Sequence, residues 1–389
     1  MTRAEASNYP AIRQVNTLVG DPAWLVTAYD DVKALLADPR LGRSHPDPPR
    51  ASKFSRSAIF GGPTGNPATE ATEHAQLRRL LAPPFSVRQM DRLRPRVRQI
   101  VAGMLDELLD RIPPADFHEA VSFPLPALVI CELLGVPFED RADFGRWSDD
   151  IAHTIDQQRS EAGLRALQQY MKALVERKRD DPGEDVISDL IMASVREGRA
   201  DVDGVARLAA GLLYAGHETT AGAIDRGVTL LLTNRAQHAA LLNDRSLIPT
   251  AVEEILRLSP LNLLAAGDVT GSLARYAKTD IEMHGVTIHG GDLVLLGLRS
   301  ANQDEQRFSE PNRFDIHRTP NPHLTFGHGP RFCAGAPLAR MELAELFTAL
   351  LARCPAMSLA VPVEDLRPRD ELLTGGLYEL PVTWPTNLD

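Results

Sequence analysis

One cysteine stands in a glycine-punctuated loop, Phe326-Gly-His-Gly-Pro-Arg-Phe-Cys333-Ala-Gly335, that runs straight into a helical stretch, Ala336 to Ala352. A thiolate there meets the positive end of the helix dipole and can accept backbone N–H groups, so the sequence predicts a lowered thiol pKa. Gly329 and Gly335 allow tight turning and close approach to a flat partner. A half-buried cysteine at a helix start would look the same locally. A second group is Ala215-Gly-His-Glu-Thr-Thr-Ala221, in the middle of an apolar run expected to be one long helix from an N-cap at Asp203 to Thr233. An acid and two threonines are costly in such a place unless they are used. Gly216 leaves a notch, and the Thr219 hydroxyl can compete for the carbonyl of Ala215. The alternative is a kinked core helix with satisfied polar groups, and His217 is read as structural.

Other pairs are spaced for joint action. His74 and Arg78 lie four apart on a predicted helix, so both can point at one anion, or both at solvent. Glu254 and Arg257 lie three apart on a helix over Ala251 to Leu258, as either a surface pair or part of a buried network. From Arg78 to Arg98 there are seven arginines against one acid, Asp91, which makes a basic island on a chain of net charge −10. That island is either a solvated face or a docking site for an acidic partner.

The elements that must place these groups are mostly helical. Trp24 to Tyr29 alternates as a strand, followed by an aspartate-capped helix over Asp30 to Ala37 that Pro39 ends. Ser44 to about Thr72 has no period and reads as a long loop, functional or disordered, in which Phe60, Gly61 and Gly62 lie either near a ligand or in a plain mobile stretch. Ser122 to Gly135 reads as a buried helix carrying a core cysteine, Cys131, and two more helices occupy Arg141 to Asp180. After the turn Asp181 to Asp185, helix resumes at Val186. Ile281 to Leu298 alternates with turns as short antiparallel strands, and Leu372 to Trp384 reads as two strands around Gly375-Gly376.

Composition sets limits. Hydrophobic residues form 43% and charged residues 24% of 389, ordinary for a globular chain able to bury one core. The negative charge argues against nucleic acid or an anionic membrane as the main partner. Three cysteines make no disulfide framework, so a reducing cytoplasm is expected. Met1 to Tyr9 has no signal-peptide pattern, and no apolar run nears the roughly 18 residues a membrane span needs.

The cysteine loop matches Phe-x-x-Gly-x-Arg-x-Cys-x-Gly, and with Ala-Gly-x-Glu-Thr-Thr, His-x-x-x-Arg and Glu-x-x-Arg it resembles the cytochromes P450, in that family's motif order and over Trp24 to Trp384. The resemblance is to the bacterial, actinobacterial type without a membrane anchor. It implies a single domain over 1–389, mainly α with small β-sheets: a helix-rich triangular prism with haem b between the I and L helices. Cys333 would be the axial thiolate, with Phe326, Gly327 and Gly335 around it and Ala215 and Gly216 across the ring. His74, Arg78, Arg275 and Arg331 would hold the propionates, and His323 either a propionate or its own loop. Glu218 and Thr219 would be the acid and alcohol that deliver protons during oxygen activation. Glu254 and Arg257 would form a buried network with Arg313. Weaker expectations place Phe60, Leu261, Leu264, Thr374 and Leu377 against substrate, in a pocket whose link, Leu261 to Ala274, is longer than usual. The activity implied is hydroxylation or epoxidation of a small secondary metabolite with O2 and electrons from a ferredoxin and its reductase. Ring closure, aryl coupling or desaturation would use the same groups. A non-catalytic partner protein is the third reading, against which the retained Cys333, Glu218 and Thr219 speak.

Overall fold

A computed structural model describes residues 10–140, 142–196, 201–259, 269, 271–372 and 374–386. The chain opens with β1 (Ile12–Asn16) antiparallel to β2 (Pro22–Val26), then α1 (Tyr29–Ala37) and β3 (Leu41–Gly42). The predicted aspartate cap on α1 does not form. The residue before the helix is Ala28, and Asp30 and Asp31 lie inside the first turn, where their charge still faces the positive dipole end. An irregular stretch leads to α2 (Glu70–Leu81) and α3 (Val87–Leu109), whose cap Ser86 accepts from the Gln89 N–H. After β4 (Ala115–Asp116) come α4 (Pro124–Leu134), α5 (Ala142–Ala152), α6 (Gln157–Asp180) and α7 (Val186–Arg196). Pro124 in the first turn and a left-handed Gly135 bound α4, as its sequence predicts.

The long helix α8 (Val202–Thr233) is capped by Asp201, whose carboxylate accepts the Gly204 N–H. Asp203, the predicted cap, lies in the first turn and pairs with Lys172 at 2.9 Å. The rest of the chain supplies α9 (Arg235–Asn243), α10 (Ile248–Arg257), β5 (Ser272–Ala277), β6 (Ile281–Met283), β7 (Val286–Ile288), β8 (Leu293–Gly297), α11 (Leu298–Asn302), α12 (Ala336–Arg353), β9 (Ser358–Leu359) and β10 (Pro381–Thr383). The largest sheet has the order β1-β2-β8-β5-β3, with β8 parallel to β2 and antiparallel to β5. Every residue of β8 is buried, as in a strand covered on both faces. The expected C-terminal hairpin is reduced to a glycine turn with one bridge, Leu377 to Pro368, while β10 pairs with β4 and β9.

The architecture is thus mainly α with small sheets. One apolar cluster runs through α3, α4, α6, α8, α10 and α12. Within it Leu213, Ile224 and Val228 of α8 are fully buried, each contributing about 1.5–3 kcal/mol. That burial on both sides of residues 215–221 fixes the polar middle of α8 in place.

Candidate active site

The cysteine loop is tied shut at its base, where the Cys333 N–H donates to the Phe326 carbonyl at 2.8 Å. Gly329 has φ +71°, and a Cβ there would lie 2.9 Å from Cα of Ala37, so both conformation and contact with α1 demand glycine. Arg340 lies over the Phe326 ring at 4.6 Å. Cys333 is left exposed on the wall of a cavity of about 470 Å³. Phe326, Gly327, Arg331 and Gly335 line the same wall, and Ala215, Gly216 and Thr219 of α8 line it as well. The loop and the helix are more than a hundred residues apart in sequence, and the fold brings them onto one cavity.

The predicted lowering of the Cys333 pKa is not found. Burial pushes the thiol up, and the N–H groups of Gly335 and Ala336 pull it down without prevailing. The sulfur loses more hydration at this helix start than the dipole returns. A bound metal ion reverses that balance, because a coordinating thiol is deprotonated.

A cluster of cations gathers beside the cysteine loop. Arg275 lines the cavity and is pushed down to about 10, first by burial and then by Arg43 and Arg331. Glu70 is the acid set against them. It accepts from Arg331 Nη2 at 2.5 Å and the Arg43 N–H at 2.7 Å, with the Ser44 hydroxyl also bound. His74 is pushed down by burial and then by Arg331 and Arg78. Arg78 donates from Nη1 to the Phe332 carbonyl at 2.8 Å, which ties α2 to the cysteine loop. His74 and Arg78 flank the cluster and are not part of the cavity wall. The sequence reading missed Arg43 and Glu70, although Glu70, His74 and Arg78 form a row four residues apart on one helix face.

On α8 the Thr219 hydroxyl donates to the Ala215 carbonyl at 3.0 Å, the back-bond its sequence predicts. Glu218 is buried, and burial followed by neighbouring Asp149 pushes it up to about 8, against the pull of Arg369. Its Oε2 accepts from the Thr374 hydroxyl at 3.4 Å, and its Oε1 has no hydrogen-bond partner among the described residues. Asp149 is held by both Arg369 terminal nitrogens, at 3.0 and 2.7 Å. His217 is fully buried with Nε2 at 2.9 Å from the Phe123 carbonyl, and burial pushes it down to about 4, so it is a neutral structural group. The notch at Gly216 is filled from α4: a Cβ there would lie 3.2 Å from Ile130.

Glu254 and Arg257 are both fully buried and pair bidentately at 2.7 Å. The expected third member, Arg313, is a correction. Its side chain points outward to Glu310 at 2.8 Å, and Arg318 takes the slot, with Nε at 3.1 Å from Glu254. Arg313 serves the network through its carbonyl, which accepts from both Arg257 and Arg318. His323 takes the loop-packing role, bonded to Glu253 at 3.1 Å. Phe60, Thr374 and Leu377 reach the cavity, whereas Gly61 and Gly62 do not line it. Leu261 and Leu264 lie outside the described residues.

The basic island is largely engaged. Arg94 and Arg98 both grip Glu345 of α12 at 2.7 Å, and Arg96 reaches Glu132 at 3.3 Å. Arg79 and Arg88 stay exposed, with no acid paired to them among the described residues.

The family model for cytochrome P450 matches residues 142–374. Pentalenolactone synthase of Streptomyces exfoliatus is 43% identical over 390 residues, covering 98% of this chain and 95% of that protein. The chain belongs to the cytochrome P450 family. Mycinamicin IV hydroxylase/epoxidase of Micromonospora griseorubida is 39% identical, covering 96% of this chain and 92% of that protein. Among solved structures, the mycinamicin VIII C21 methyl hydroxylase MycCI of M. griseorubida aligns with TM-score 0.87 at 34% identity, covering 99% of this chain and 97% of that one. Substrate-free PimD, a pimaricin epoxidase, aligns with TM-score 0.84 at 39% identity, covering 98% and 94%. The protein is a P450 monooxygenase of bacterial type, and no described helix is long and apolar enough to cross a membrane.

The residues of this P450 fit a haem. A cysteine sulfur opens onto the cavity, and small residues of α8, Ala215 and Gly216, also border it. Arg43, Arg275 and Arg331 gather with one opposing acid, Glu70, and this excess of positive charge suits two carboxylates. The family's haem with a cysteine thiolate therefore has its ligand in Cys333.

Proposed function

We propose that this P450 hydroxylates or epoxidises a small organic molecule in secondary-metabolite biosynthesis, in the cytoplasm, using haem b, O2 and electrons from a ferredoxin and its reductase. The reading is carried by one observation: the Cys333 sulfur and the Thr219 hydroxyl border the same cavity. The names of relatives, a mycinamicin IV hydroxylase/epoxidase and a pimaricin epoxidase, support the substrate class. When bound, the haem supplies activation of dioxygen and oxidation of a substrate C–H or C=C bond.

The chain's own groups have separate tasks. The Phe326 carbonyl holds the loop closed, and the Gly335 and Ala336 N–H groups aim at the Cys333 sulfur, where they would favour its thiolate form. Glu218, its carboxyl pushed up to about 8, can hold a proton behind Thr219 and Thr374, which line the cavity. Thr219 can release the Ala215 carbonyl and turn its hydroxyl inward to pass that proton on. Asp149, fixed by Arg369 beside Glu218, can return a proton to Glu218 from the surface side. Phe60, Thr374 and Leu377 line the substrate end of the cavity and exclude water. Exposed Arg79 and Arg88, with Arg78 bound to the loop at Phe332, suit an acidic donor protein near the cysteine.

The reduced protein with carbon monoxide is expected to show the red-shifted band of a sulfur-ligated haem, and Cys333→Ala to lose it. An unshifted band in the unaltered protein would end this reading. Oxidative ring closure, aryl coupling or desaturation is the second reading, favoured by the name of the S. exfoliatus relative, a synthase. Product mass separates the two: a gain of one oxygen against a loss of two hydrogens.

A further inference from the structure

Four charged side chains besides Arg226 line the cavity, two cations and two acids, and both of those cations lie against Glu70. Arg331 binds Glu70, and Arg275 lies in the field of the same acid. Asp225 is 2.8 Å from Nδ1 of His118 and also accepts the Leu377 N–H, so it faces the C-terminal turn. Glu342 is buried, its Oε2 has no hydrogen-bond partner among the described residues, and burial pushes its carboxyl well above the usual carboxylate range. Arg226 differs. It lines the cavity, and among the described residues its Nε has no hydrogen-bond partner and no acid pairs with it. Among the described residues the one charge that acts on it is another cation, Arg299 at the start of α11, which has no acidic partner among them either. Nor does Arg226 belong to the group suited to the propionates, where the charges acting on Arg275 are Arg43, Arg331 and Glu70.

An uncompensated cation half-sunk in a cavity wall costs stability and makes sense where a ligand brings the missing charge. Resting on the monooxygenase reading above, we propose that the substrate of this cavity is a carboxylate, held by the Arg226 guanidinium with Arg299 reinforcing the positive field. A planar five-donor fork suits a carboxylate held through two parallel hydrogen bonds. Arg226 follows Thr219 by seven residues on α8, close to two full turns, so both project from one side of the helix about 10 Å apart along its axis. The acid end is therefore anchored about two helical turns from the hydroxyl that serves oxygen activation, which sets the reach from carboxylate to oxidised carbon.

The test uses the haem-loaded protein and a matched pair of probes, dodecanoic acid and 1-dodecanol, by titration calorimetry at pH 7.5. The unaltered protein is expected to bind the acid at least ten-fold more tightly than the alcohol. Arg226→Met should erase the preference and keep the alcohol's affinity, Arg226→Lys should retain part of it, and Arg299→Met should weaken it less. Equal affinity for the pair, including no binding of either, overturns the inference, as does a preference that survives in Arg226→Met. Without ligand, Arg226→Met should melt at or above the unaltered protein and keep its haem. A lower melting temperature or lost haem assigns Arg226 to the fold or the propionates and also overturns it. The carbon monoxide band of the same samples separates the two levels of failure. A sample with the sulfur-ligated band and no acid preference sinks the substrate class alone, and one without the band sinks the monooxygenase reading.

Discussion

Two buried glutamates on two helices, Glu254 on α10 and Glu218 on α8, meet opposite treatment. Glu254 is fully buried and both its oxygens are filled, by Arg257, Arg318, the Asn321 side chain and the Asp315 N–H. Glu218 is nearly as buried, yet among the described residues it has one long bond from Thr374, one oxygen without a hydrogen-bond partner and an acid for a neighbour. The first arrangement holds a charge in place and leaves it nothing to do. The second keeps a proton on a carboxyl group at neutral pH, which is the condition for an acid that must give the proton away. The saturated acid serves the fold, and the under-satisfied one is the proposed proton donor.

The largest expected effect comes from breaking the saturated side. Glu254→Ala leaves Arg257 and Arg318 buried without a counter-charge, at a cost of about 3–5 kcal/mol. Urea unfolding should show that loss together with lost haem, and a fully haem-loaded, unaltered melt would contradict the comparison. Arg318→Met should approach the same loss, whereas Arg313→Met, pairing only at the surface, should stay within about 0.5 kcal/mol.

On the other side, Glu218→Gln should leave a folded, haem-loaded protein. Product formation should fall by about 10²–10⁴-fold, the range for losing a positioned proton donor. Its stability profile sharpens the comparison further. Because the folded pKa, about 8, exceeds the ordinary 4.5, the folded state binds more protons than the unfolded state between those values. Stability contributed by neutral Glu218 is thus complete below pH 4.5 and is lost as pH rises through 8, by at most about 1.4 kcal/mol per pH unit. Melts from pH 5 to 8.5 should slope downward in the unaltered protein and flatten in Glu218→Gln. An unchanged slope would show that Glu218 is already ionised.

Smaller effects follow. Thr219→Val should keep substrate binding and raise the share of electrons that yield peroxide in place of product, measured by product formed per reductant consumed. Smallest is the charge pair Arg79→Glu with Arg88→Glu, which should slow reduction by ferredoxin several-fold at low salt and less at high salt. A rate independent of salt in both proteins would remove the docking role.

Much of the site was legible because its motifs are local. The cysteine loop needs a glycine at the left-handed position 329, and Thr219 finds the Ala215 carbonyl four residues back within its own helix. Both facts are set by backbone geometry within a few residues. The caps failed by two residues or less: Asp201 in place of Asp203, and Ala28 in place of an aspartate. Several aspartates near a helix start offer similar local energies, so tertiary partners choose, as Lys172 does for Asp203. Arg313 and Arg318 were indistinguishable in sequence for the same reason. Both follow the same loop, and only the path of that loop through Pro311 to Asn321 decides which guanidinium enters the core.

By itself, then, the sequence determined the family, the cysteine loop, the Thr219 back-bond and the order of the helices, because each rests on spacing within one turn or one loop. The tertiary structure alone decided the upward shifts of Cys333 and Glu218, the choice of Arg318, the place of Glu70 among the cations, and the lack of an acid beside Arg226 among the described residues. Those depend on how much water each group loses and on which charges from distant segments come within a few ångströms, and neither quantity is written along the chain.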